Sequence, residues 1–311
     1  GIRASYWSFN EEWLISPRLA VSLYPRWKAD FTFRFAGGLY YQSPFYKELR
    51  LETKDADGNS TITLNKNIKA QRSLHLVLGA DYHFRLFKRP FKLTLEGYYK
   101  PSDHVISYHI DNVRVRYSGK NDAKAYVAGI DLKLFGEFVP GTDSWISFSW
   151  MRCREDILND SYNVYSNTGT YLGKVYPGYI SRPNEQRYSI SLFYQDYFPN
   201  HPEYKVYLKM IWADGLPFGA PHSERYQATF RTKAYRRVDI GASRDFVAGR
   251  EKFMRKSKVV KSWALNFEIF NLLNIKNINS YYWVTDIYNN QNAVPNYLSG
   301  ILFNFKVTVD F

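Results

Sequence analysis

Gly300-Ile-Leu-Phe-Asn-Phe-Lys-Val-Thr-Val-Asp-Phe311 closes the sequence, and the reading of the fold starts from it. Ile301, Phe303, Phe305, Val307, Val309 and Phe311 fall on one face of a strand. Leu302, Asn304, Lys306, Thr308 and Asp310 fall on the other, because strand side chains alternate with period two. One face is wholly apolar, the other mostly polar, and the chain ends on an aromatic residue. A strand reads this way when lipid lies on one side and a wet lumen on the other. A half-buried strand of a soluble sandwich also alternates, so the rest of the chain must decide.

Alternation recurs along the sequence. Leu74, Leu76, Leu78, Ala80, Tyr82 and Phe84 oppose His75, Val77, Gly79, Asp81 and His83. Leu93, Leu95 and Gly97 oppose Lys92, Thr94 and Glu96, and Trp263, Leu265, Phe267 and Ile269 oppose Ala264, Asn266, Glu268 and Phe270. About twelve strands are expected, near 1–8, 17–25, 30–43, 71–87, 91–110, 124–139, 143–155, 184–198, 204–214, 234–247, 260–284 and 297–311. The links near 26–29, 88–90, 140–142 and 199–203 are short and carry turn residues, whereas those near 44–70, 156–183, 215–233 and 285–296 are long. Short and long links alternate except after the first strand and at the basic turn 248–259. Outer-membrane barrels have short periplasmic turns and long extracellular loops, and an even strand number puts both chain ends on the periplasmic side. No linker, solenoid repeat or domain boundary interrupts the pattern.

Composition agrees. Aromatic residues make up 18%, with 27 Tyr, 22 Phe and 8 Trp, and Tyr and Trp suit a membrane interface. Mean hydropathy is −0.44, and no run reaches the ~18 apolar residues a spanning helix needs. The single Cys153 forms no internal disulfide and is read as an inert wall residue. The net charge of +13 raises nucleic acid as a partner, but the basic residues are scattered and no nucleic-acid motif accompanies them. Their one dense group, Lys252, Arg255, Lys256, Lys258 and Lys261, reads as a solvated turn; basic loops can also meet the phosphates of lipopolysaccharide or an anionic ligand.

No enzyme site is legible. His75 and His83 are explained as polar lumen residues, and His104 and His109 lie near a loop, without carboxylate or Cys partners at metal-ligand spacing. Glu155-Asp-Ile-Leu-Asn-Asp160 lacks the spacing of a calcium loop and reads as solvated. No metal and no cofactor are expected.

Several phrases, taken in order, cover nearly the whole chain. They are Gly1-Ile-Arg3, Ser16-Pro-Arg18, Tyr40-Tyr-Gln-Ser-Pro-Phe-Tyr-Lys-Glu-Leu49, Glu96-Gly-Tyr-Tyr-Lys100, Gly129-Ile-Asp131 and Arg182-Pro-Asn-Glu-Gln-Arg187. Then come Gly215-Leu-Pro-Phe218, Tyr235-Arg-Arg-Val-Asp-Ile-Gly241, Glu268-Ile-Phe-Asn-Leu-Leu-Asn274, Ser280-Tyr-Tyr-Trp-Val284, Val294-Pro-Asn-Tyr297 and the terminal Phe311. Together they resemble the carboxyl-terminal barrel region of TonB-dependent outer-membrane receptors, particularly the type that carries a carboxypeptidase-regulatory-like domain. The resemblance implies an all-β, transmembrane antiparallel barrel in the outer membrane of a Gram-negative bacterium, with these residues supplying about twelve carboxyl-terminal strands of 22. It implies import of a scarce solute through energy-driven rearrangement of a plug that contacts the TonB complex. The plug, the TonB box and the early strands are absent from residues 1–311, so the chain is read as a partial barrel, either a fragment or completed by another chain. Its edge strands, Gly1–Trp7 and Ile301–Phe311, are expected to pair with something absent from this sequence. Phe311 takes the place of a barrel-assembly signal.

In such receptors the solute rests between plug and extracellular loops. Loop aromatics and arginines are therefore the candidate contacts: Phe45, Tyr46, Tyr162, Tyr165, Tyr171, Arg182, Tyr281, Tyr282 and Trp283, most of which could instead brace the loops. The inward charges Arg34, Glu96, Asp131, Asp239, Glu268 and Lys306 are expected to hold the plug or order lumen water. Expected partners are the TonB complex, outer-membrane lipids and lipopolysaccharide, and a surface lipoprotein or other assembly subunits. The alternatives are a structural or translocation subunit of a larger outer-membrane assembly, a passive twelve-strand porin and, last, a soluble sandwich. No residue in the sequence names the solute.

Overall fold

A computed structural model describes residues 1–54, 59–111, 113–198, 200–220, 223–247 and 261–310. Phe311 and the cluster Lys252, Arg255, Lys256 and Lys258 lie outside them. Twelve strands pair in strict sequence order to form one antiparallel wall. They are Ile2–Trp7, Glu12–Leu23, Asp30–Gln42, Gln71–Leu86, Arg89–Val105, Ala123–Val139, Thr142–Ile157, Tyr188–Phe198, His201–Ala213, Tyr235–Val247, Ser262–Phe270 and Leu302–Asp310. A short thirteenth strand, Tyr179–Ser181, pairs with the upper part of Thr142–Ile157. Among the described residues, Ile2–Trp7 pairs only with its successor and Leu302–Asp310 only with its predecessor.

The alternation read from the sequence is the two faces of this wall. One line of register runs Leu95–Leu132–Phe148–Ile190–Trp212 across five strands and faces outward. One residue away, Thr94–Lys133–Ser147–Ser191–Ile211 faces inward. Phe303, Phe305 and Val307 of the last strand lie exposed on the outer face, with Phe303 70% exposed. Apolar exposure on that scale is stable only against lipid.

Two aromatic belts bound the lipid-facing zone. Near the short turns, Trp27 packs on Phe33, Phe31 stacks on Tyr82 at 4.5 Å, and Tyr82, Phe84, Phe91 and Phe138 continue the row. Near the long loops, Tyr99, Tyr126 and Tyr179 form the second belt, with Tyr188 against Trp212 further round. Tyr126 and Phe138 share a strand and lie twelve residues apart. That is about 40 Å of strand, or ~28 Å of height at a tilt of about 45°, the thickness of a hydrocarbon core.

Inward charges pair mainly with one another. Arg34 bridges Asp81 (3.1 Å) and Glu96 (3.0 Å), Lys92 reaches Asp81 at 3.3 Å, and the Thr94 hydroxyl donates to Asp81 at 2.7 Å. Across the wall Tyr207 donates to Glu268, which also accepts from Asn304. Tyr207 can lie flat there because it covers Gly241. A Cβ on Gly241 would stand 2.3 Å from the tyrosine ring.

Several expected boundaries move: strands begin at Glu12, Tyr188 and Leu302 rather than at 17, 184 and 297, and two strands end early. The strand expected over 260–284 ends at Phe270, because Asn271 and Asn274 take left-handed backbone (φ 52° and 48°) and the Asn271 side chain bonds both N–H and C=O of Ile275. Residues Ile278–Thr285 instead form a separate hairpin with Gln291–Tyr297. The strand expected over 91–110 ends at Val105, after His104 at φ 54°, and Tyr108–Asp111 turns back on Arg114–Tyr117.

Candidate functional site

Among the described links, the short turns gather at one end of the wall and the long links at the other, except the short turn 8–11, which lies at the end of the long links. At the loop end the links are themselves folded. Loops 43–70 and 106–122 share a small apolar core of Leu49, Ile68 and Ile106, packed by Trp7, Phe9 and Tyr117. Amides clamp them together: Asn65 donates to the Gly119 carbonyl, and the Asn121 side chain accepts from Lys69 N–H and donates to Lys69 and His104 carbonyls. Burial pushes the Glu48 carboxyl above its ordinary range despite the Phe45 N–H and Gln71 amide that hold it.

Loops 158–187 and 214–234 are anchored by charge. Glu155 and Glu185 are both 0% exposed. Glu155 pairs with Arg225 and, at 3.2 Å, with Arg182. Glu185 pairs with Arg231 and accepts the Cys153 N–H at 3.2 Å. Arg231 also reaches Asp214 at 3.2 Å, which Arg187 grips through Nε and Nη2. At Asp214 burial acts to raise the carboxyl, but the hydrogen bond and charge of Arg187, helped by Arg231, hold it below the ordinary carboxylate range. Burying carboxylates is tolerable only with such partners. Glu155 is thus no solvated loop residue, as its sequence context suggested. It continues the inward row of its strand through Cys153, and loop arginines close over it.

Between the two loop groups lies an open groove of about 550 Å³. Glu52, His109 and Arg116 line one side, Phe218 and Arg225 the other, and Tyr281 and Trp283 the third. Phe218 stacks on Tyr281 at 4.4 Å, with Phe230 and Trp283 at its edges, so the aromatic wall is preassembled. Arg225 both lines the groove and holds Glu155. Such a surface offers ring faces for stacking beside charged hydrogen-bond donors and acceptors.

Of the candidates from sequence, Tyr281 and Trp283 line this groove. Phe45 packs edge-on to Tyr117, Tyr46 lies beneath Arg50, Tyr162 stacks on Tyr226, and Tyr165 meets Tyr171 within the hairpin Tyr162–Val175. Arg182 is held by Glu155, over the Tyr108 ring. Phe218, His109, Arg116 and Glu52 were missed as site residues. Phe218 carried a signal, an aromatic after Gly215-Leu-Pro in a long loop; the other three carried none. Among the described residues no group of three or more His, Cys, Asp or Glu is placed to hold a metal ion.

A lipid-facing antiparallel wall with a polar inner face and a folded loop end defines an outer-membrane β-barrel protein. The family model for the TonB-dependent receptor-like β-barrel matches residues 1–272, and the chain belongs to that family. Its fold is similar to that of the ferric enterobactin receptor of Pseudomonas aeruginosa (TM-score 0.61, 15% identity, 98% of this chain and 41% of that one). The outer membrane transporter YddB of Escherichia coli is similar (0.62, 15%, 98% and 42%). So is the ferric-catecholate import receptor Fiu of E. coli (0.55, 14%, 96% and 35%). The chain spans less than half the length of each of these solved receptors. No curated protein matches it.

Proposed function

We propose that these residues form the wall and solute-contacting loops of an energy-coupled importer of the Gram-negative outer membrane. The observation that carries the reading is the groove at the loop end, bounded by Phe218, Tyr281 and Trp283 and floored by anchored loops, in a chain of the TonB-dependent receptor-like family. The whole receptor would bind its solute from outside, pass the signal to a plug inside the wall, and draw on the TonB complex to move that plug. The inward ion pairs Arg34–Asp81 and Arg34–Glu96 would present fixed polar groups to the plug rather than to the solute. Neither covalent chemistry nor a cofactor enters the cycle.

The test uses cells making the full-length protein. Uptake of a labelled panel is followed with and without a protonophore: a ferric catecholate, cupric ion, a haem, a cobalamin, an oligosaccharide and a peptide. Energy-dependent uptake of one member, lost on gene deletion and lowered about tenfold or more by Phe218→Ala or Trp283→Ala, supports the reading, since buried aromatic anchors dominate binding energy. Uptake indifferent to the proton gradient favours a passive pore. Stable co-purification with other subunits, without uptake of any panel member, favours an assembly or translocation role.

A further inference from the structure

Low on the lumen face, Arg34 is held by Asp81 and Glu96, and Lys92 by Asp81. Higher on the same strands, below the loops that bring Glu52, His109 and Arg116 to the groove, this compensation stops. Arg18 lies opposite Gly38 and Gly38 opposite His75, and the pairing of Leu76 with Tyr99 sets His75 level with Lys100. All three side chains share the lumen face with Arg34, Asp81 and Glu96, an even number of residues or a register step away. The stem of Arg18 crosses the bare backbone of Gly38, where a Cβ would stand 3.0 Å from it, and sets its guanidinium 4.3 Å from the centre of the Tyr40 ring. His75 stacks on the same ring at 4.2 Å, and the Lys100 ammonium lies 4.7 Å over Tyr98. Arg18 and Lys100 are both within electrostatic reach of His75. Among the described residues none of the three makes an ion pair or a side-chain hydrogen bond. No carboxylate faces the lumen at their height on these strands: Ser16, Ser73 and Ser102 stand above them, and Ala20, Ala36 and Val77 below.

We propose that Arg18, His75 and Lys100 form an anion site on the lumen wall, which receives a carboxylate- or phosphate-bearing solute as it leaves the groove above. This names the class of solute the importer carries, and it rests on the importer reading. Arg18 supplies a fork of donors, Lys100 a point charge and His75 a ring N–H, a set matched to anionic oxygens. The Tyr40 and Tyr98 rings orient the cations without neutralising them. Arg34 and Glu268 are closed by partners on the wall itself, as fixed contacts are. Cations left open together on one patch suit a ligand that arrives and departs. Position gives the direction of travel. The strands carrying His75 and Lys100 join loops 43–70 and 106–122, which bring Glu52, His109 and Arg116 to one side of the groove. A solute leaving the groove on that side meets the strip next.

The full-length protein, purified in mild detergent at low salt, is titrated calorimetrically with propane-1,2,3-tricarboxylate and with its uncharged triamide. The tricarboxylate should bind and the triamide should not. The double variant Arg18→Gln/Lys100→Gln should weaken binding about tenfold for each cation removed, the loss expected of a charge-assisted contact, while Lys174→Gln on the loop hairpin changes nothing. Equal binding of the two compounds overturns the proposal, as does an unaltered affinity in the double variant. Loss of binding in Trp283→Ala would place the tricarboxylate in the groove and overturn the lumen site. Absence of tricarboxylate binding also overturns it, and a lowered unfolding temperature in the double variant would then assign the strip to a carboxylate of the plug. If the double variant fails to assemble, the comparison of the two compounds on the native protein and on His75→Gln decides. The titration needs no energy coupling, so the two readings fail separately. Tricarboxylate bound at the strip, without energy-dependent uptake of any solute, would sink the importer and leave the site; energy-dependent uptake with no anion at the strip would do the reverse.

Discussion

Glu155→Gln removes one charge and almost no volume from the centre of the loop anchor. Arg225 and Arg182 would then share a neutral amide in place of a carboxylate that is 0% exposed. Breaking a buried pair by altering one partner costs ~3–5 kcal/mol, because the other charge stays buried without compensation. Both arginines keep an edge in water, the Arg182 side chain 20% and the Arg225 side chain 15% exposed, so the lower end, ~3 kcal/mol, is the expected cost. The wall strands do not depend on this pair, and the loss should appear as local opening rather than global unfolding. Hydrogen exchange read by mass spectrometry should show Tyr179–Arg187 and Ser223–Thr232 exchanging roughly 100-fold faster, that energy expressed as an opening equilibrium. Peptides around Leu49 and Ile68, held by an apolar core, should be unchanged. Protection within twofold of the native protein over Tyr179–Arg187 would refute the anchor. So would an increase spread evenly over all loops, which would mean that the loops do not fold in separate groups.

Acid should act oppositely on the two loop groups. Asp214 has a depressed carboxyl, so its contribution is present above its unfolded value of 3.8 and is lost as pH falls through the lower folded value. Glu48 has a raised carboxyl, so loop 43–70 gains stability as pH falls through that raised value towards 4.5. Exchange protection, with the intrinsic pH dependence of amide exchange divided out, should therefore rise around Glu48 as pH is lowered towards 4.5 and stay constant around Asp214, and a uniform response would contradict the assignment. Gly241→Ala should displace Tyr207 from Glu268 and cost ~1–3 kcal/mol, read as a lower temperature for loss of the folded band on cold gels. Leu132→Arg should destabilise the wall by ~2–4 kcal/mol, whereas Lys133→Gln next to it should be nearly neutral, in folding titrations into bilayers.

The twelve wall strands were legible because each repeats one two-residue period, with lipid or lumen as the reason. Leu132 and Lys133 show this at a single step. Boundaries set by asparagine were not legible. Asn271 and Asn274 stop a strand through left-handed backbone and a side chain turned onto Ile275, although the apolar pattern runs on. The loop anchor was hidden for another reason. Glu155 meets Arg225 across 70 residues and Glu185 meets Arg231 across 46, and no periodicity links them. Tyr281 and Trp283 were reachable as loop aromatics, while Glu52, His109 and Arg116 enter the groove only once two hairpins have packed.

Because the twelve wall strands, among the described residues, pair with one another in strict sequence order, the hairpin is the unit by which such a wall can grow or shrink. Adding one hairpin lengthens the perimeter by two strands. It leaves every other strand with its old partners, the same face to lipid and the same end to the medium. Adding a single strand would invert everything after it. A chain built this way can change diameter, in evolution or by design, by duplicating contiguous stretches of two strands, with repair needed only where the edges of the wall meet.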